Sequence, residues 1–195
     1  IPQLPVFCGG MGGFLSYDAV RFFERLPQKT KDELKFADMT FVLAKDLVIF
    51  DQLHHKIKIL SCADAGPKDS EAAKIKKYNA ALKKIEGIIK ELEGPLPKAK
   101  AVASRRSKTI QVKSNFTPKE FEEIVIKAKK KIKEGEIIQV VLSQRFQVDI
   151  RADSFNIYRA LRGLNPSPYM FYLKFDDLHL GGSSPELLVR CERGL

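Results

Sequence analysis

Short alternating apolar patterns in the first third of the chain predict β-strands. Such patterns occur at residues 41–44, 47–51 and 56–60, each bounded by polar or turn-forming residues. The last two predict a hairpin around the turn at residues 52–55. His54 and His55 fall in that turn, where adjacent histidines are better explained as turn residues than as a pair of metal ligands.

Three helices are predicted from apolar stripes and capping signals. Residues 70–93 place apolar side chains along one face, and residues 155–164 predict a short helix. Between them, Thr117, Pro118 and Glu120 form a capping box that starts a helix ending near Glu134, where Gly135 stops it. Residues 94–107 are predicted to form a surface loop, and residues 107–113 alternate like an edge strand.

The last sixty residues return to strand patterns. A long strand is predicted at 137–150, a hairpin at 170–175 and 178–182 around Asp176 and Asp177, and another strand from residue 187 onward. Antiparallel hairpins mixed with a few helices are typical of an α+β fold, with antiparallel sheets and flanking helices.

The chain has 195 residues and a formal net charge of +10, which raises the possibility of nucleic-acid binding. The excess lies in residues 74–134, with 18 basic against 7 acidic residues; the remainder has 16 against 17. These lysines are spaced as solvated helix faces with few interleaved aromatic residues, so a basic nucleic-acid-binding module is kept only as an alternative.

Targeting and redox signals favour a cytoplasmic protein. No signal peptide pattern and no apolar run of membrane-spanning length is present in the sequence. Cys8, Cys62 and Cys191 are odd in number and widely spaced, which favours ordinary thiols in a reducing compartment. We therefore expect neither a membrane nor a nucleic-acid partner.

Two polar features of the predicted strands are candidates for chemistry. Alternation places Gln139, Ser143 and Arg145 on one face of the strand at 137–150, which is either a polar wall or a sheet face open to water. In GGSSPELLVR, a Ser-Ser-Pro turn delivers Glu186, which is either a general acid or a surface carboxylate.

Four stretches together resemble one enzyme family. GGMGGFLSYDAVR, GEIIQVVLSQRF, NPSPYMFYL and GGSSPELLVR follow the order and rough spacing found in the large subunit (component I) of anthranilate synthases, which are chorismate-utilising enzymes. GGMGG itself has neither GxGxxG nor a Walker lysine, so it predicts close backbone packing rather than a phosphate loop. The resemblance implies a two-sheet fold of which residues 1–195 are a partial chorismate-binding domain, with N- and C-terminal parts absent.

The resemblance also implies a reaction. In this family a nucleophile adds at C2 of chorismate while the C4 hydroxyl leaves, and the glutamate of the SPE turn, here Glu186, protonates that hydroxyl. Relatives that add water carry lysine at the position of Gln139. Glutamine favours ammonia, and hence anthranilate and pyruvate as products. Aminodeoxychorismate synthase component I remains the alternative within the family.

NPSPYM resembles the tryptophan feedback site of anthranilate synthases. Pro166 and Pro168 restrict the backbone, so this segment loses little conformational freedom when it binds a ligand. The resemblance implies that Pro168, Tyr169 and Met170 line a slot for the indole ring and that Asn165 braces the turn.

Cofactor and partner follow from the same resemblance. It implies Mg²⁺, with metal ligands expected beyond Leu195, and a glutamine amidotransferase subunit (component II) that supplies ammonia. Residues 1–195 alone are therefore expected to be inactive. A bare interaction domain without chemistry is the third alternative, and it applies if the 195 residues are the whole gene product.

Overall fold

The computed structural model describes residues 4–28, 30–96, 111–150 and 152–192. The chain divides into two units, Ile1–Lys98 and Ala99–Leu195. Both units consist of antiparallel two-stranded sheets and helices, which confirms the predicted α+β class.

The first unit contains two strand pairs and one long helix. Strand β1 (Gly10–Leu15) pairs antiparallel with β2 (Met39–Ala44), and a 3-10 helix (Tyr17–Phe22) lies between them in sequence. Strand β3 (Asp46–Asp51) pairs with β4 (Lys56–Ser61), as predicted. Helix α1 (Glu71–Glu93) packs on β4 and buries Ala81; its N-terminus is capped by the Ser70 hydroxyl, which accepts from the amide of Ala73.

The glycines of β1 permit close approach of β2. Gly13 lies opposite Phe41, and a Cβ added at Gly13 would sit 2.0 Å from the carbonyl oxygen of Thr40. Real Cβ atoms do not approach backbone this closely, so only glycine fits at residue 13. The predicted close backbone packing of GGMGG is confirmed at this residue.

The β3–β4 turn is held by Asp51. Its carboxylate accepts from the Lys58 ammonium at 2.7 Å and from the backbone amide of His54 at 3.0 Å. These bonds, that of Lys58 first, hold the pKa of Asp51 well below its usual range. His55 has a positive φ of 51°. The placement of His54 and His55 in a turn is confirmed.

The second unit alternates helices with short strands. It contains β5 (Lys113–Ser114), α2 (Pro118–Lys133), β6 (Phe146–Gln147), α3 (Ser154–Leu164), β7 (Tyr169–Phe175) and β8 (Leu178–Ser184). The predicted capping box of α2 is confirmed: the Glu120 amide donates to Thr117 Oγ1 at 3.3 Å, and the Thr117 amide donates to Glu120 Oε2 at 2.8 Å. The predicted hairpin around Asp176 and Asp177 is also confirmed.

Of two further predicted strands, one is much shorter than predicted and the other does not form in the described residues. Of residues 137–150, only β6 is in a strand, because β5 offers a ladder of just two residue pairs. No strand forms from residue 187 to residue 192. A strand requires a neighbour for its backbone groups, and the apolar pattern carries no information about that neighbour. The loop at 94–107 and the edge strand at 107–113 lie mostly outside the described residues.

Burial is low throughout the described part of the chain. There, only Ala19 and Ala81 are buried, whereas Ile138 is 97% exposed and Leu188 is 100% exposed. An isolated two-stranded hairpin is marginally stable in water, so such strands need further layers. No helix within the described ranges is long and apolar enough to cross a membrane.

Candidate functional site

The proline corner, which we define as residues 165–170, connects α3 to β7 and includes the first two residues of that strand. The Asn165 amide caps the helix by donating to the carbonyl of Leu161 at 2.8 Å. Pro166 and Pro168 have no amide hydrogen and cannot continue the helix, and β7 starts at Tyr169. The corner is therefore fixed between two regular elements.

Strand β8 attaches to both ends of the proline corner. The Ser183 hydroxyl donates to the carbonyl oxygen of Asn165 at 2.5 Å. On the other side, Met170 pairs with Ser183 and Tyr169 pairs with Ser184 in the β7–β8 ladder. The GGSS segment therefore fixes the corner through its backbone and through one side chain.

The side chains of the corner present a mixed surface. Asn165 and Pro168 are exposed, Tyr169 is 40% exposed, and Met170 is half-buried. Between the prolines, the Ser167 hydroxyl is buried and has no hydrogen-bond partner. A buried hydroxyl without a partner is uncommon, because burial of an unpaired polar atom costs free energy.

Glu186 lies on the turn that follows β8, which we call the SPE turn (residues 184–186). The Ser184 hydroxyl donates to the carbonyl oxygen of Glu186 at 3.0 Å, which closes the turn locally. Glu186 is an exposed residue. Because Ser184 pairs with Tyr169, the SPE turn and the proline corner lie at the same end of the β7–β8 hairpin.

Helix α3 supports this hairpin through aromatic packing. The rings of Phe155 and Tyr158 lie 5.2 and 5.5 Å from that of Tyr172, centroid to centroid. The Ser154 hydroxyl lies 2.8 Å from the Tyr172 hydroxyl and also contacts His179 Nδ1. Aromatic pairs of this kind stabilise a packed element by about 0.5–1.5 kcal/mol beyond their area. The helix before the corner and the hairpin after it are thus one packed structure.

Gln139 lies apart from these features in sequence and is exposed, in a segment without regular structure. Further along that segment, Gln144 Nε2 donates to Ser114 Oγ at 2.9 Å and the Arg145 amide donates to Asn115 Oδ1 at 2.8 Å. These contacts hold the stretch beside the start of α2 rather than in an extended polar wall. Within the described residues no hydrogen bond joins Gln139 to Glu186, and the catalytic roles expected for the two residues stay predictions.

A metal site is not formed by the part of the chain that the structure describes. In residues 4–28, 30–96, 111–150 and 152–192, no three His, Cys, Asp or Glu side chains cluster closely enough to hold a metal ion. These residues therefore do not fit Mg²⁺ by themselves.

Helix α1 carries a shallow groove beside several of its lysines. This open groove of about 420 Å³ runs along the helix, lined by Ala72, Ile75, Lys76, Asn79, Ala80 and Lys83. It contains no acid–base pair. Several lysines of this helix are neutralised by ion pairs of 2.7–3.0 Å, namely Lys74–Glu71, Lys77–Asp69 and Lys84–Asp46. These pairs favour a solvated face over a phosphate-binding surface.

Sequence reasoning missed two serines that support the candidate site from outside it. Ser183 acts through the register of β7–β8, and Ser154 acts through the packing of α3. The GGSSPELLVR stretch contains Ser183 but does not indicate its bond to Asn165, and none of the four stretches contains Ser154. The run of four small residues in GGSS was the available signal, since it allows two segments to approach each other closely.

Comparison with known proteins identifies relatives over the whole chain. The family model described as chorismate binding enzyme matches residues 2–195. Anthranilate synthase component 1 of Aquifex aeolicus (strain VF5) is 42% identical over 98% of this chain, and that of Acetivibrio thermocellus is 38% identical over 100%. The crystal structure of anthranilate synthase component I from Streptococcus pneumoniae TIGR4 matches 100% of this chain with a TM-score of 0.76 and 30% identity.

The match covers less than half of each relative. The chain spans 38% of the Aquifex protein, 39% of the Acetivibrio protein and 42% of the Streptococcus chain.

Proposed function

The chain belongs to the chorismate binding enzyme family, and from this premise we propose that it is part of an anthranilate synthase component I that converts chorismate and ammonia to anthranilate and pyruvate in tryptophan biosynthesis. The similarity to proteins of that name supports the assignment. The observation that carries it is the β7–β8 register, which holds the SPE turn beside the proline corner.

Glu186 is the proposed general acid. Ammonia forms a bond to C2 of the ring, the two conjugated ring double bonds shift, and the C–O bond at C4 breaks. Hydroxide is a poor leaving group, so a neutral carboxyl group that donates its proton to the C4 oxygen lets it depart as water. The closed turn formed by Ser184 and Glu186 supports this role, because it limits where the carboxyl can lie. Loss of pyruvate and a ring proton from the aminated intermediate gives anthranilate.

Gln139 is the proposed selector of the nucleophile. Water is a weak nucleophile and needs a base that takes up its proton as it attacks, whereas neutral ammonia is nucleophilic enough to attack without a base. A glutamine amide donates and accepts hydrogen bonds but does not take up a proton. A glutamine at this position therefore favours amination over hydration of the ring.

The proline corner is the proposed binding site for tryptophan as a feedback inhibitor. Pro168, Tyr169 and Met170 supply apolar and aromatic contacts, and Asn165 is held by the end of α3. The buried, unpaired hydroxyl of Ser167 in the middle of the corner supports a polar ligand or a further segment at this place.

We also propose a cofactor, a partner subunit and a cellular location for the whole enzyme. We include Mg²⁺ as the cofactor of the whole enzyme, a glutamine amidotransferase subunit as the source of ammonia, and a cytoplasmic location. The name component 1 of the relatives supports the second subunit. Two of the three alternatives gain no support: Gln139 and the NPSPYM sequence disfavour aminodeoxychorismate synthase, and the ion-paired lysines of α1 disfavour a nucleic-acid module.

The nucleophile assignment is tested with the full product of the coding sequence. With chorismate, Mg²⁺ and an ammonium salt we expect anthranilate as the product, detected by its fluorescence. Gln139→Lys should lower the ratio of aminated to hydroxylated product by about tenfold, because an amine can deprotonate water. Gln147→Lys, at an exposed residue of β6, is the matched control. A wild-type enzyme that makes no anthranilate overturns the proposed function.

A further inference from the structure

We propose that Ser183 is a positioning residue that couples ligand binding at the proline corner to the SPE turn. This inference rests on the proposed function, since it needs a ligand at the corner and chemistry at Glu186. Ser183 touches neither, and it acts through Asn165 on one side and Ser184 on the other.

The side chains of Ser183 and Ser184 bond to two different segments of the chain. In a strand, neighbouring side chains point to opposite faces. The Ser183 hydroxyl donates to the Asn165 carbonyl at 2.5 Å, and the Ser184 hydroxyl donates to the Glu186 carbonyl at 3.0 Å. One side chain is thus bonded to the start of the corner, and the next is bonded to the residue that carries the proposed acid.

The backbone ladder fixes only one end of the corner. Tyr169 and Met170 are held by their pairing with Ser184 and Ser183. Asn165 lies before the prolines and outside this ladder, so the Ser183 hydroxyl is its link to β8. A ligand that binds against Pro168 and Met170 and changes the distance between the two ends of the corner must therefore lengthen or tilt the hydrogen bond between Ser183 and Asn165.

Movement at Ser183 reaches Glu186 over a short path. Pro185 follows Ser184 directly and restricts the backbone between the ladder and Glu186. A shift of the last ladder pair is therefore passed to the carboxyl group rather than absorbed in the loop. Such coupling is a difference in binding free energy between two sites, and it is reciprocal.

The variant Ser183→Ala separates coupling from binding. Asn165 is exposed, so water replaces the lost hydroxyl and the fold is retained. In the full product of the coding sequence, we expect turnover without tryptophan to stay within about threefold of wild type. Tryptophan binding measured by calorimetry in the absence of chorismate should also stay within about threefold, whereas the tryptophan concentration for half-inhibition should rise by about tenfold or more.

Reciprocity supplies a second readout that a merely structural role would not change. Without ammonia, chorismate should weaken tryptophan binding by about tenfold in the wild type and by less than about threefold in Ser183→Ala. Ser183→Thr retains a hydroxyl and should restore the wild-type coupling. Ser154→Ala removes a hydroxyl that contacts the same hairpin at Tyr172, and it should leave the coupling unchanged.

Each other result overturns the inference. Loss of tryptophan binding together with inhibition would make Ser183 a binding contact, and unchanged inhibition would leave it without a role in coupling. A wild type that turns over chorismate but binds no tryptophan refutes feedback and coupling together. A wild type with no turnover instead refutes the proposed enzyme.

Discussion

The β7–β8 hairpin and the stretch at residues 137–150 both have strong strand patterns, yet only the hairpin forms a full ladder. Seven residue pairs join β7 to β8, from Tyr169 opposite Ser184 to Phe175 opposite Leu178. In the stretch at 137–150, two residues pair with β5, and Ile138 is 97% exposed.

This difference shows that a strand pattern alone does not determine whether a strand forms. The hairpin has its partner two residues away across the Asp176–Asp177 turn, and α3 covers it with aromatic side chains. The stretch is also predicted as a strand from its pattern, but its strand ladder is limited to the two residue pairs with β5. A strand with a distant partner forms only when that partner is in place.

The largest expected effect concerns this stretch directly. In the full product of the coding sequence, amide hydrogens at 138–145 should exchange about a hundredfold more slowly than in residues 1–195 alone, because a neighbouring strand protects them. The difference in exchange rate between the β7–β8 amides and the amides at 138–145 should therefore be smaller in the full product than in residues 1–195 alone. Equal exchange of 138–145 in both chains, measured by mass spectrometry, would contradict the explanation by a missing partner.

The next effect tests whether a ladder elsewhere depends on close backbone approach. Gly13→Ala should lower the free energy of unfolding by about 2–3 kcal/mol, because the new Cβ meets the backbone of Thr40 and Phe41. Gly12→Ala is the matched control, since a Cβ there meets nothing within 4 Å. Equal destabilisation of both variants in urea denaturation would show that glycine flexibility, not close approach, is what β1 requires.

The smallest effect concerns the turn of the β3–β4 hairpin. The pKa of Asp51 is lowered in the folded state, chiefly by its bond to Lys58. Its contribution to stability is therefore present above the ordinary pKa of about 3.9 and is lost as the pH falls below it. Asp51→Asn should flatten the decrease in thermal midpoint between about pH 4 and pH 2. Asp177→Asn, in the exposed turn of β7–β8, should keep the wild-type slope.

Local signals account for the elements that were predicted correctly. The capping box at Thr117 and Glu120 acts within one helical turn, and the turns at residues 52–55 and 176–177 connect strands only a few residues apart. These features depend on neighbours in sequence, and a sequence pattern records them directly.

The site could be predicted only in part, because a sequence pattern records neighbours in sequence and not contacts between distant residues. The proline corner and the SPE turn are marked by prolines, which restrict the backbone wherever they occur. Their proximity depends on the β7–β8 register, and the role of Ser183 depends on a bond to a carbonyl eighteen residues away. A serine in a strand gives no sign of such a bond.

The central claim is that the SPE turn presents Glu186 as the acid of a chorismate enzyme. The most direct measurement is steady-state turnover of chorismate by Glu186→Gln in the full product of the coding sequence, with Glu192→Gln as control. We predict a decrease in kcat of about 10²–10⁴-fold for Glu186→Gln, with KM for chorismate and tryptophan binding unchanged, because the amide cannot donate a proton to the leaving oxygen. A kcat within about threefold of wild type would contradict the account.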